Sequence, residues 1–252
     1  MNVISAHHQV VHLCISKPNH DDWILSATYS SPHAIDRGYM WDNFSRVADN
    51  TNMAWMAIGD FNNFSSTNER RSFARDPGNA NHRRAMKFAH NLARYGLEDL
   101  GSSGPTMTWS NGRPGLANTL VRLDRAVANY EWRQMFPEAT LRVLPRIYSD
   151  HSPILMLMNG LCPPPTPFLR PFRMQDMWLD HRDFHELVAF VWNSCDNSLC
   201  FANSAFASHA KTWNTNIFGN IFQDKKRLLA RIEGIQKAQS FRYSQNLFLL
   251  EK

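Results

Sequence analysis

The sequence has no apolar run near the roughly 20 residues that a membrane-spanning helix needs. Its opening, "MNVISAHHQVVHLCIS", carries neither a basic leader nor a small-residue cleavage site. These absences predict an intracellular setting. Cysteine is scarce: Cys14, Cys162, Cys195 and Cys200 form no CxxC pair and lack the density that staples small secreted domains. They read as buried thiols rather than zinc ligands or bridges. Internal repeats are also missing. What is present suffices for a packed core, since 43% of the 252 residues are hydrophobic and 12% aromatic, which excludes a disordered chain.

Charge is unevenly spread. Residues 1–204 hold 19 Lys+Arg and 19 Asp+Glu, whereas 205–252 hold 8 and 3, so the whole +5 excess falls in the C-terminal stretch. A basic tail is compatible with nucleic acid, although a solvated helix face is the commoner cause of such a bias.

Periodicity predicts an α/β layout in the first part. "HQVVHLCIS" and "WILSATYS" read as strands joined by the polar turn "KPNHDD". "DRGYMWDNFSRVADN" has helical spacing through Met40, Trp41, Phe44 and Val47, and "AWMAIGD" is again a strand. A helix follows over "NHRRAMKFAHNLARYGLEDLG", with Met86, Ala89, Leu92 and Ala93 as its apolar positions and a stop near Gly96. Short strands "TMTWSN", "VRLDRAV", "TLRVL" and "PILMLM" come next, with a short helix at "NYEWRQMF".

"LCPPPTPFLRP", residues 161–171, holds five prolines and reads as a linker. The expected division is therefore a domain at 1–160, the linker at 161–171 and a helical segment at 172–252. In that segment Ile221, Lys225, Leu228, Ile232 and Ile235 fall at spacings of 3 and 4, a stripe fit for packing on the chain itself or on a helical partner.

Three short motifs carry candidate chemistry. In "IGDFNN", Asp60 and Asn62 are two apart at a strand end, so both side chains leave one face and could reach one phosphate or one metal-bound water. A turn built from Gly, Asp and Asn reads at least as well. In "YSDHSPILM", Asp150 is a hard oxygen donor and His151 a group that exchanges protons near neutral pH; the rival reading is a capped turn. In "VRLDRAV", Asp124 lies between Arg122 and Arg125, where it could orient His151 or simply form an ion pair. Tyr29 in "ATYSSP" and Thr108 in "MTWSN", taken singly, read as packing residues.

The joint order of "ATYSSP", "WMAIGDFN", "GLEDLG", "TMTWSN", "RLDRAVANYEWRQMFP" and "RIYSDHSPI" is more specific than any member. Across residues 8–158 the chain resembles the endonuclease/exonuclease/phosphatase superfamily, and within it the endonuclease domain of plant LINE-type (non-LTR) retrotransposons. "PFRMQDMWLDHRDFHELV" and "KTWNTNIFGNIFQDKKRLLARIEGIQ" resemble the connector towards the reverse transcriptase. The resemblance implies a four-layer α/β sandwich of two packed mixed sheets flanked by helices, then an all-α segment. It also implies Mg²⁺- or Mn²⁺-dependent nicking of DNA, hence nuclear access. By position, Asp60 would activate the attacking water and Asn62 would contact the scissile phosphate. His151, oriented by Asp124, would stabilise phosphate charge; Asp150 would bind the metal; Tyr29 and Thr108 would line the phosphate pocket.

The family pattern also places an Asn and a metal-ligating Glu before the Tyr motif, and no Glu precedes Glu69 here. The chain is accordingly expected to start within the fold, with weakened metal binding and impaired catalysis. The alternative is a non-catalytic nucleic-acid-binding or protein-interacting remnant. Arg70, Arg71, Arg75, Arg83, Arg84 and Lys87 are candidate DNA contacts, with Arg113 at a hairpin tip. A solvated basic surface is the competing explanation.

Overall fold

The computed structural model describes residues 1–252 except 19, 51, 73–78, 161–171, 195–198, 218–220, 242, 243 and 252. The expected linker at 161–171 and Arg75 lie outside the described residues. Two compact units are present, one made of residues 1–162 with 229–252, the other of 163–228. The C-terminal residues 229–252 thus join the first unit rather than a separate helical segment.

In the first unit, β1 (Asn2–His7), β2 (Val10–Ile15) and β3 (Trp23–Tyr29) run antiparallel in sequence. Helix α1 (Arg37–Asn50) crosses over, and β4 (Ala54–Asp60) returns parallel to β3. Then come β5 (Arg70–Ser72), α2 (Asn79–Arg94), β6 (Glu98–Asp99), β7 (Trp109–Ser110), β8 (Thr119–Val121), β9 (Asp124–Ala128), α3 (Tyr130–Met135), β10 (Thr140–Val143) and β11 (Ile154–Leu157). The main sheet has the order β1-β2-β3-β4-β9-β6; smaller sheets pair β5-β8-β7 and β10-β11.

Alternation along the strands sorts the core into layers. Ile24, Trp55, Ala57 and Val127 leave one face of the main sheet to meet Met40, Trp41 and Phe44 of α1 and Phe88 and Leu92 of α2. Their neighbours Ala54, Met56, Ala126 and Ala128 leave the other face, towards Trp132 of α3 and Leu141 of β10. The result is a mixed α/β architecture of several sheets flanked by helices.

Three details differ from the sequence reading. "VRLDRAV" is not one strand: the chain breaks at Arg122 and Leu123, because Thr108 Oγ1 accepts the backbone N–H groups of Leu123 (2.9 Å) and Asp124 (3.0 Å). On α2 the buried positions are Ala85, Phe88 and Leu92, whereas Met86 is 60% exposed and Ala89 and Ala93 face solvent. Finally, Asn2–His7 forms an edge strand that the sequence pattern does not predict; its Val3 and Ile4 are exposed.

The second unit holds α4 (Arg182–Asn193) and α5 (Leu199–Ile217), packed through Trp178, Phe184 and Ala210. Helix α6 (Ile221–Phe241) precedes α7 (Gln245–Glu251). The stripe, expected to pack on the chain itself or on a helical partner, is split. Ile235 is buried in the chain itself, Ile232 is half-buried, Leu228 is exposed, and the side chain of Ile221 lies outside the described residues. Among the described residues, no helix is long and apolar enough to cross a membrane.

Candidate functional site

Strand register brings the first residues together. Asp60 closes β4, opposite Tyr29 on parallel β3 and Asp124 on antiparallel β9, so three polar residues share one row at the sheet's end. The approach of β3 and β4 requires glycine at position 59. Its φ is +139°, and a Cβ there would lie 2.0 Å from the Thr28 carbonyl oxygen.

Beyond Asp60 the chain turns at Asn62, whose φ of +43° suits an Asn better than most side chains. The turn feeds back on the acid. Asn62 N–H donates to Asp60 Oδ1 (2.7 Å), and Asn62 Nδ2 donates to Asp60 Oδ2 (3.0 Å) and to the Ser30 carbonyl (2.7 Å). Burial pushes the Asp60 pKa up to about 6; the Asn62 N–H opposes the rise and the Asp124 charge adds to it.

His151 arrives on the loop between β10 and β11. Backbone bonds from Ser110 N–H to the Asp150 carbonyl (3.0 Å) and from Ser152 N–H to the Thr108 carbonyl (2.7 Å) fix that loop beside β7. His151 Nδ1 meets Asp124 Oδ2 at 3.0 Å, and this bond raises the imidazole pKa against the opposing effect of burial. Asp60, Asp124 and His151 each offer one ligand atom, all within 4.8 Å of one another. The oxygens of Asp60 and Asp124 suit a hard cation such as Mg²⁺ or Mn²⁺, with the His151 ring, held by Asp124, beside them rather than on the ion. A divalent cation would also relieve the crowding of Asp60 and Asp124, so the donor set fits one.

Asp150, expected at the metal, stands outside that group. Its Oδ2 accepts the Trp109 indole N–H (3.0 Å), the main cause of its lowered pKa. Thr108, expected to line the phosphate pocket, is fully buried and instead anchors the backbone of Asp124 and Ser152. Tyr29 is largely exposed and lines the mouth of the cleft, a cavity of about 520 Å³ that also borders Asp60, Asn62, Arg70, Arg84 and His151.

No family model matches the chain, and a search of curated proteins found no match. Among solved structures the chain is similar to the endonuclease domain of TRAS1, a telomere-specific non-LTR retrotransposon. The identity is 20% and the TM-score 0.45, over 59% of this chain and 62% of that one. It is also similar to the 3′ phosphatase NExo from Neisseria, with 17% identity and a TM-score of 0.43 over 60% and 65%. A third is an endonuclease/exonuclease/phosphatase family protein from Leptotrichia buccalis, with 18% identity and a TM-score of 0.39 over 57% and 52%. The chain spans less than two thirds of the length of each.

Of the basic candidates, Arg70 and Arg84 border the cleft, Arg71 is half-buried, and Arg83 and Lys87 face solvent. Arg84 also holds the turn, donating to the Asn62 carbonyl (2.5 Å) and to Asn63 Oδ1 (2.9 Å). Burial, with Arg37 and Arg70 nearby, lowers its pKa to about 10. Sequence reasoning missed Arg37, a lone arginine with no motif around it, which donates to the Pro32 carbonyl at 2.7 Å. It also missed the support beneath the site. Arg122 and Arg125 flank Asp124 in sequence, but their ion pairs are with Glu69 and Asp99 at 2.7–2.9 Å.

Proposed function

We propose that the chain is the endonuclease part of a LINE-type retroelement, and that its cleft hydrolyses phosphodiester bonds of DNA with the aid of a divalent cation. The observation that carries the reading is the convergence of Asp60, Asp124 and His151 within 4.8 Å at a cleft bordered by Arg70 and Arg84. The motif order from "ATYSSP" to "YSDHSP" supports it independently.

Each residue then has a role that its surroundings favour. Asp60, held by Asn62 and bordering the cleft, is placed to accept a proton from an attacking water. Asn62 fixes both carboxylate oxygens of Asp60 and so aims it. His151 spends Nδ1 on Asp124, which leaves Nε2 to donate towards a phosphate oxygen; its raised pKa favours the charged form. As the water oxygen bonds to phosphorus, the ester bond to the leaving strand breaks. A bound cation supplies Lewis-acid stabilisation of phosphate charge.

The group contains two carboxylates and no glutamate among the described residues, so cation affinity and turnover are expected to be modest. DNA contact through Arg70 and Arg84 should fall steeply with salt. Nuclear access follows from the same reading.

The test is nicking of supercoiled plasmid by the purified chain with Mg²⁺, Mn²⁺ or EDTA, beside His151→Ala. Cation-dependent nicking lost in the variant supports the hydrolase. Salt-sensitive DNA binding without turnover points instead to a non-catalytic binding remnant.

A further inference from the structure

We infer that Gln236 of α6 and Glu251 of α7 clamp the loop carrying His151 and act as positioning residues; the catalytic half of this inference rests on the function proposed above. The loop leaves β10 after Val143 and rejoins β11 at Ile154, its base closed by Leu144 N–H donating to the Pro153 carbonyl (2.8 Å). Arg146 is the grip. Its backbone N–H donates to Gln236 Oε1 (2.9 Å), and its carbonyl accepts from Gln236 Nε2 (3.0 Å). One side-chain amide thus satisfies both polar groups of one residue, as a paired strand would.

The network closes through α7. Glu251 Oε1 accepts from Arg146 Nη2 (2.5 Å) and from Gln236 Nε2 (3.0 Å). Gln236 is 5% exposed, so breaking its bonds would strand polar groups away from water. The partners are 90 and 105 residues from Arg146 in sequence. No local preference draws them together.

What the clamp holds is a loop under tension. Tyr148, two residues beyond Arg146, has a φ of +55°, a conformation unusual for a bulky side chain, and its ring is fully exposed. Such a backbone persists only where its surroundings over-determine it. Here Gln236 fixes the chain before Tyr148, while Ser110 and Thr108 fix it at Asp150 and Ser152. A cavity of about 640 Å³ between Tyr148, Asp150, Ile232 and Phe248 leaves room for the loop to move once Arg146 is released. The imidazole would then lose its aim although the sheet beneath is intact.

The experiment compares the full chain with Gln236→Leu and Glu251→Gln, following amide hydrogen exchange over residues 144–152 and plasmid nicking with Mn²⁺. In both variants exchange in the loop should rise about tenfold while β4 and β9 keep their protection. The kcat should fall about tenfold, with KM within about twofold because the cleft arginines are untouched. Unchanged loop exchange in both variants overturns the clamp, and a loosened loop with undiminished kcat overturns the positioning role. If Gln236→Leu loosens the whole unit, Glu251→Gln decides, since it keeps size and shape. If the unaltered chain does not nick, the hydrolase reading fails, and loop exchange alone still decides the clamp.

Discussion

His151 Nδ1 and Asp124 Oδ2 lie 3.0 Å apart, joining the loop after β10 to the first residue of β9. The bond fixes which ring nitrogen faces the cleft and favours the protonated ring.

Asp124→Asn should therefore lower the His151 pKa and reduce nicking about a hundredfold, within the range of a misplaced acid–base group. The folded-state pKa of His151 is raised, so its pairing contributes stability fully below about 6.5 and loses it as pH rises through the raised value. The stability gap between the two proteins should accordingly be widest near pH 6 and narrow in mildly alkaline buffer. An NMR titration of the His151 ring in both proteins checks the claim. Coincident curves would contradict it.

Gly59→Ala should be costly. The added methyl meets the Thr28 carbonyl oxygen at 2.0 Å, and φ of +139° is itself strained for alanine. The expected loss is roughly 3 kcal/mol or more, a fall in Tm of about 6–12 °C. Gly96→Ala is the control, because φ is +62° there and nothing lies within 4 Å of the new carbon. Its cost should stay near ~1 kcal/mol. Equal melting shifts for the two variants would remove the steric argument.

These two sites mark what the sequence made legible. Strands β2 to β4 and helix α1 stand out because apolar runs are bounded by polar turns and their periods are clean. Asp60 could be placed at a strand end for the same reason. What no local pattern carries is register: the row of Tyr29, Asp60 and Asp124 depends on three strands aligning, two of them non-adjacent in sequence. The inward face of α2 is not legible from hydropathy, because alanine and methionine count as apolar wherever they fall. Arg84 instead lies on the inner side, its guanidinium 5.2 Å from the Phe64 ring centre. Motif position alone suggests Asp150 and Thr108 as site groups; the bonds they make, to Trp109 and to backbone, are visible only in three dimensions.

Glu69 is the next test, because it neutralises a fully buried guanidinium. Arg125 is 0% exposed, pairs with Glu69 at 2.9 Å and Asp99 at 2.8 Å, and lies 4.9 Å from the Phe88 ring centre. Glu69→Gln leaves that charge under-compensated and should cost about 3–5 kcal/mol. Burial works against ionisation of Glu69, but Arg125, Arg122 and the Ser65 N–H hold its pKa down at about 2. With the folded value depressed, the stabilisation is present above about 4.5 and is lost as pH falls towards 2. Urea denaturation of both proteins at pH 7 and pH 3 measures it. A gap that does not shrink in acid would show that the ion pairs are not its source.

Asp60 has the opposite sign. Its folded pKa is raised from 3.8 to about 6, mainly by burial, so the folded protein is penalised for ionising it. The penalty is absent below about pH 4, grows through the window up to 6, and is complete above it. Asp60→Asn should thus stabilise the cation-free chain by about 1–2 kcal/mol at pH 7.5, less than the full shift because an amide cannot accept both Asn62 bonds. At pH 4 the two proteins should melt together. Mn²⁺ narrows the gap: a cation at ten times its Kd adds about 1.4 kcal/mol to the unaltered chain, enough to offset most of the variant's advantage, and should add little to the variant. On the proposed role of Asp60, the same substitution should also abolish nicking. Melting curves at the two pH values, with and without Mn²⁺, separate these effects. An Asp60→Asn protein that gains stability from Mn²⁺ as much as the unaltered chain does would place the cation elsewhere.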